Sequence, residues 1–211
     1  MYFSIKFVSS YRKSYCAFIQ ISVYLSVNLK GEHMLQIFDS LEKKKVEFSP
    51  IDPNEVKIYV CGPTVYNHPH IGNARPAVFF DMFVRLLRAL YPKVIYVRNI
   101  TDVDDKINLA AKNEGVSIDV ITKRFTKIYH DDLSELGCLL PDKEPTATET
   151  MQDMIACINK LVGDGHAYVS DSHVLFSVQS VPDYGILSGR KVEENQAGAR
   201  VEVASYKKDP Q

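Results

Sequence analysis

EVKIYVCGPTVYNHPHIGNARPAVFFDMFVRLLRALYPKVIYVRNI, residues 55–100, carries the clearest pattern in the chain. Glu55 to Val60 is a short apolar run bounded by turn-forming residues, which predicts a buried strand. Residues 61–76 are dense in Gly, Pro and Asn and predict a loop. From Ala77 to Leu90 the polar residues Asp81, Arg85 and Arg88 fall on one stripe, and the other faces are apolar. That pattern predicts a largely buried helix. Pro92 closes it, and Lys93 to Arg98 is a second apolar strand. Strand, loop, helix and strand make one βαβ unit with a parallel sheet and a right-handed crossover.

In such a sheet ligands bind beyond the C-terminal strand ends. Cys61, Gly62, Thr64, His68, His70, Gly72 and Asn73 all lie there. His70 and Asn73 are three residues apart at the start of the helix, so both can face one way. Backbone N–H groups at a helix start favour a phosphate, and Gly72 leaves room for close approach. Two readings stand: a phosphate or nucleotide site, or a His–Asn cap that satisfies the loop's own backbone. Cys61 is equally readable as a small buried core residue. After the second strand, Asp102, Asp104 and Asp105 suggest either a magnesium or amine site, or an N-cap and acidic first turn for the next helix. For Asp104 and Asp105 the cap is preferred.

Further along, Ile118, Ile121, Phe125, Ile128, Leu133 and Leu136 keep helical spacing, with Ser117 as N-cap. Met151, Met154, Ile155, Ile158, Leu161 and Val162 predict another amphipathic helix. His166–Ser170 and Val174–Val178 predict two short strands around a turn at Asp171–Ser172. Residues 191–211 are polar, with one strand candidate at Ala199–Ala204. Towards the N-terminus, residues 1–33 hold Lys6, Arg12, Lys13 and Lys30 against one acid, Glu32. They faintly resemble a signal or transit peptide; the preferred reading is an extension outside the fold, with translation starting at Met34.

Across the 211 residues, 25 basic and 26 acidic side chains nearly cancel, so no global charge pulls the chain toward nucleic acid or membrane. Cys16, Cys61, Cys138 and Cys157 form no CxxC pair, which suits a reducing compartment and predicts a cytoplasmic protein. No apolar run reaches the ~20 residues of a membrane span.

HIGN at His70–Asn73 resembles the HIGH signature of class I aminoacyl-tRNA synthetases. It is preceded by YVCGPTVYN (59–67) and followed by YVRNITDVDDKI (96–107), LGCLLPDKEPTAT (136–148), GHAYV (165–169), YGILSGR (184–190) and AGARVEV (197–203). Together these are similar to cysteinyl-tRNA synthetases. The resemblance implies an α/β fold: the first half of a Rossmann-type (HUP-like) parallel-sheet catalytic domain over 34–145, then the start of an inserted domain over 146–211. It implies ATP-dependent ligation of cysteine to tRNA(Cys) through a cysteinyl-adenylate, with Mg2+ accompanying ATP, in a monomer.

Carried over residue by residue, Cys61 matches the first ligand of the family's Zn2+ site, which grips the substrate thiolate. Gly62, Thr64 and Thr101 match the cysteine pocket. His70 and Asn73, with Gly72, match the ATP-binding signature that stabilises phosphate charge during adenylate formation. Asn73 stands where the signature has histidine, and its amide still donates a hydrogen bond. Past Gln211 the family continues with a second cysteine, a histidine and a glutamate for zinc, the KMSKS loop and an anticodon-binding domain. The resemblance therefore implies a marginally stable, inactive polypeptide as given. The rival readings are the cysteine ligase of mycothiol synthesis, a generic adenylyltransferase, and a non-catalytic remnant.

Overall fold

The computed structural model describes residues 24–27 and 33–189. These fall into two units, Pro50–Cys157 and a second built from residues up to Ser49 and from Ile158 onward. The expected boundaries at 33/34 and 145/146 do not coincide with these units.

The Pro50–Cys157 unit is the expected βαβ element, extended. Strands β4 (Val56–Val60) and β5 (Val94–Arg98) pair in parallel, Val56 opposite Val94 and Val60 opposite Arg98. Glu55 ties the strand starts together, taking Lys93 and Lys57; the hydrogen bond from Lys93, and then that from Lys57, hold its carboxyl down to about 2. A third chain segment runs alongside β5: Arg98 N–H donates to Lys143 O at 3.1 Å and Ile100 N–H to Pro145 O at 3.0 Å. The helix α1 spans Ile71–Leu90. It begins six residues before the expected Ala77, because Pro76 sits inside it rather than in the loop. An internal proline removes one backbone donor and so mimics a breaker in sequence. Val84 of α1 packs on Val60 and Tyr96.

The polar stripe of α1 is anchored to the segment 137–142. Buried Asp81 accepts from Arg85 Nε and from Leu139 N–H, both at 2.8 Å. Arg85 donates to Gly137 O, and Arg88 grips the Asp142 carboxylate.

Helix α2 (Asp105–Glu114) is capped by Asp104, whose side chain accepts from Lys106 N–H at 2.9 Å. This is the cap reading of the acidic run. Gly115 ends α2 in the left-handed region at φ 67°, which suits glycine. Helix α3 (Ile118–Glu135) starts where the spacing placed it, but Ser117 makes no side-chain cap bond. Its buried ridge is Ile121, Phe125, Tyr129 and Leu133, spaced four apart, packed with Val65, Ile100, Ile107 and Ala111. Tyr129 was not picked out by the periodicity. Leu136 was, yet it lies past the helix end and is exposed. Helix α4 (Met151–Gly163) has no buried residue among those described.

In the other unit, β1 (Tyr24–Val27), β2 (His33–Asp39) and β3 (Lys44–Glu47) form an antiparallel meander. The expected break between residues 33 and 34 falls inside this sheet. Asp39 makes the β2–β3 turn by accepting from Leu41 and Glu42 N–H. Strands β6 (Ala167–Ser170) and β7 (His173–Phe176) form the expected hairpin. Asp171 and Ser172 both take positive φ, as a two-residue turn matched to strand twist demands. The strand candidate at 199–204 lies outside the described residues, as do residues 1–23 and 28–32 of the possible targeting segment; Tyr24–Val27 and His33 belong to the sheet.

Candidate active site

The loops after β4 and β5 come together, as a parallel sheet requires. Beyond Val60 and Arg98 the ladder pauses and resumes at Thr64, bridged in parallel to Thr101. Thr101 N–H donates to Pro63 O at 3.0 Å and Val65 N–H to Thr101 O at 3.3 Å. In the gap, Gly62 N–H donates to Asn99 Oδ1 at 2.8 Å. A Cβ on Gly62 would lie 1.6 Å from Asn99 O, so only glycine fits. Gly62, Thr64 and Thr101, the three positions matched to the cysteine pocket, are thus neighbours.

His70 is the N-cap of α1. Its Nδ1 accepts from Gly72 N–H at 3.0 Å, while its own N–H donates to Asn73 Oδ1 at 3.1 Å. The pair forms a reciprocal capping box. A Cβ on Gly72 would meet the His70 ring at 2.7 Å, so glycine lets the ring fold over the helix start. The cap and the ligand readings are compatible. Capping consumes the acceptor side of each group. With Nδ1 accepting, the neutral imidazole carries its proton on Nε2. With Oδ1 accepting, the Asn73 NH2 is left to donate. Both unspent groups are donors, beside a pocket lined by Pro63, Thr64, Tyr66, His68, Phe125 and Tyr129 among others. His68 stacks edge-on against Phe125 at 5.4 Å.

Below the pocket lies a charged cluster that the sequence did not single out. Arg98 is 2% exposed, with its guanidinium 5.3 Å from the Tyr129 ring. It reaches Glu144 Oε1 at 3.4 Å and Tyr96 OH at 3.5 Å. His130 Nε2 lies 2.6 Å from Glu144 Oε2 but makes no hydrogen bond with it. Burial pushes the Tyr129 hydroxyl up to about 12. Asp102 accepts from Thr148 N–H at 3.1 Å and from its hydroxyl. Burial opposes its charge, but those hydrogen bonds prevail and hold the carboxyl below its ordinary value.

Cys61 is exposed at the start of the loop. Among the described residues no three histidine, cysteine, aspartate or glutamate side chains converge to hold a metal ion. Zinc needs about four ligands, so the described residues do not fit a zinc site. Asp102 is engaged by Thr148 and Asp104 by the helix start. Cys138 is half-buried, its thiol pushed up by burial, and Cys157 is exposed.

At the C-terminal edge of the parallel pair, the crossover helix thus starts on the sequence HIGN, residues 70–73. The family model for the tRNA synthetases class I (C) catalytic domain matches residues 47–211, and the chain belongs to that family. It is 56% identical over 176 residues to a cysteine--tRNA ligase of Rhodospirillum rubrum, covering 83% of this chain and 38% of that protein. A cysteine--tRNA ligase of Parvibaculum lavamentivorans is 54% identical with the same coverage, and one of Gluconobacter oxydans 51% over 180 residues, covering 85% and 40%. The chain thus spans well under half the length of these curated relatives. No described helix is long and apolar enough to cross a membrane.

Proposed function

We propose that this chain carries the cysteine-activating site of a cysteine–tRNA ligase. In that reaction a carboxylate oxygen of cysteine attacks the α-phosphorus of ATP. The P–O bond to pyrophosphate breaks and the cysteinyl-adenylate forms; a hydroxyl of tRNA(Cys) then attacks its acyl carbon, and the C–O bond to AMP breaks as AMP leaves. The observation that carries the reading is the polarity of the α1 start. His70 Nε2–H and the Asn73 NH2 remain as donors after capping, at the positive end of a 20-residue helix. Donors fixed in advance stabilise charge that grows on phosphate oxygens during attack, without reorganisation. Gly62, Thr64 and Thr101 are grouped where the amino acid would lie, one loop from the phosphates. The resemblances to cysteine--tRNA ligases favour this over the mycothiol-type ligase.

The test separates capping from binding. Asn73→Asp keeps an acceptor for the His70 N–H and suits the helix dipole, but it loses the donor and adds a negative charge. Calorimetric titration with Mg·ATP should show saturable binding by the wild-type chain. The variant should bind about tenfold or more weakly, with urea stability within about 0.5 kcal/mol of wild type. Equal ATP affinity in the variant would remove Asn73 from the phosphate site.

A further inference from the structure

From 60↔98 to 64↔101 the paired positions change offset from 38 to 37, so the β4 side carries one residue more than the β5 side. This is a bulge in a parallel pair, a device that re-aims side chains beside functional sites. Such an extra residue leaves a backbone group without a ladder partner. Here that group is the Gly62 N–H, and the Asn99 side chain takes it at 2.8 Å. Because Asn99 Oδ1 faces Gly62, its NH2 faces Thr101, donating to Oγ1 at 3.2 Å. One asparagine therefore holds the loop after β4 and sets the hydroxyl of the loop after β5. Since Thr101 Oγ1 receives a hydrogen from Asn99, its own hydrogen and second lone pair stay available to a ligand.

We infer that Asn99 is a positioning residue for the amino-acid end of the site, acting through Gly62 and Thr101; this rests on the cysteine-activating reading above. It touches no phosphate-binding group, so its influence is confined to the amino-acid half. Asn99→Asp retains an oxygen for the Gly62 N–H but presents an acceptor to Thr101. The threonine hydrogen is then drawn to the carboxylate and lost to the ligand. Asn99→Ala leaves the Gly62 N–H unpartnered as well.

The experiment uses the 211-residue chain and two probes: Mg·ATP, and a sulfamoyl analogue of cysteinyl-adenylate that cannot turn over. For both variants, affinity for the analogue should fall about tenfold or more, the loss of one well-placed hydrogen bond, while ATP affinity stays within about twofold. Amide exchange at Gly62 should quicken in Asn99→Ala and stay slow in Asn99→Asp. If Asn99→Ala fails to fold, Asn99→Asp alone decides. Unchanged analogue affinity overturns the positioning role, and so does equal loss for both probes, which marks a purely structural residue. A wild-type chain that binds ATP but not the analogue overturns the cysteine reading itself, and the positioning role with it.

Discussion

At the scale of single residues, the site is set by how tightly two loops meet. Gly62 sits where any Cβ would strike the Asn99 carbonyl at 1.6 Å. Backbone on both sides must shift to admit one. Gly62→Ala should cost about 2–3 kcal/mol of stability in urea unfolding, well above the few tenths expected at an exposed loop glycine. A cost under about 0.5 kcal/mol would show that the loops can part freely. This requirement was only half legible in sequence. The glycine-rich loop pointed to a site, and the family resemblance pointed to Gly62. The partner, Asn99, was invisible because the contact spans 37 residues and is made by an asparagine that reads as ordinary strand-end polarity. For His70 and Asn73 the spacing of three was readable, and it supported capping and ligand binding equally. What resolves them is hydrogen-bond polarity, which spacing does not encode.

At the scale of elements, β5 and α3 are joined through a buried cation. Arg98 at the end of β5 rests against Tyr129 of α3 and reaches Glu144 in the segment beside β5. Removing it leaves Glu144, itself mostly buried, with only His130 close by. Arg98→Met should destabilise by about 3 kcal/mol, and the double variant with Glu144→Gln should recover part of that loss. Full additivity of the two changes in urea unfolding would refute the coupling.

Tyr129 makes a second prediction at this scale. Its hydroxyl is held up to about 12 chiefly by burial, against an ordinary value of 10.0. The unfolded chain therefore ionises first as pH rises, so stability is intact below about pH 10 and declines from there toward 12. The loss from this group is on the order of 1 kcal/mol by pH 11. Tyr129→Phe should shrink the difference between urea stabilities at pH 8 and pH 11 by that amount. An unchanged difference would mean that the ring is not buried as described. The sequence placed α3 correctly from its apolar spacing, and Ile128 packs against the core as expected, yet Leu136 was chosen and Tyr129 was not. An amphipathic tyrosine is counted polar or apolar only once its surroundings are known. The start of α1 was missed for a different reason: glycine and proline at 72 and 76 read as loop, although here one allows the cap and the other lies within the helix. The meander β1–β3 gave no signal because β1 and β3 are only four residues each and β3 is mostly charged.

For the whole molecule, the parallel pair, its crossover helix and the loops beyond were legible from residues 55–100 alone, because strand, breaker and helix periods change cleanly there. Family membership rests on the match over 47–211. The relatives are longer, and this chain covers about 38% of the one from Rhodospirillum rubrum. On the function proposed above, the loops after β4 and β5 activate cysteine with ATP. The most direct measurement grafts the matching stretch of this chain in place of the aligned 176 residues of that ligase and follows cysteine-dependent exchange between ATP and labelled pyrophosphate, with the unaltered ligase as control. Exchange by the hybrid should require cysteine and be lost in His70→Ala. A folded hybrid that exchanges no pyrophosphate, or exchanges it without cysteine, would contradict the proposed function.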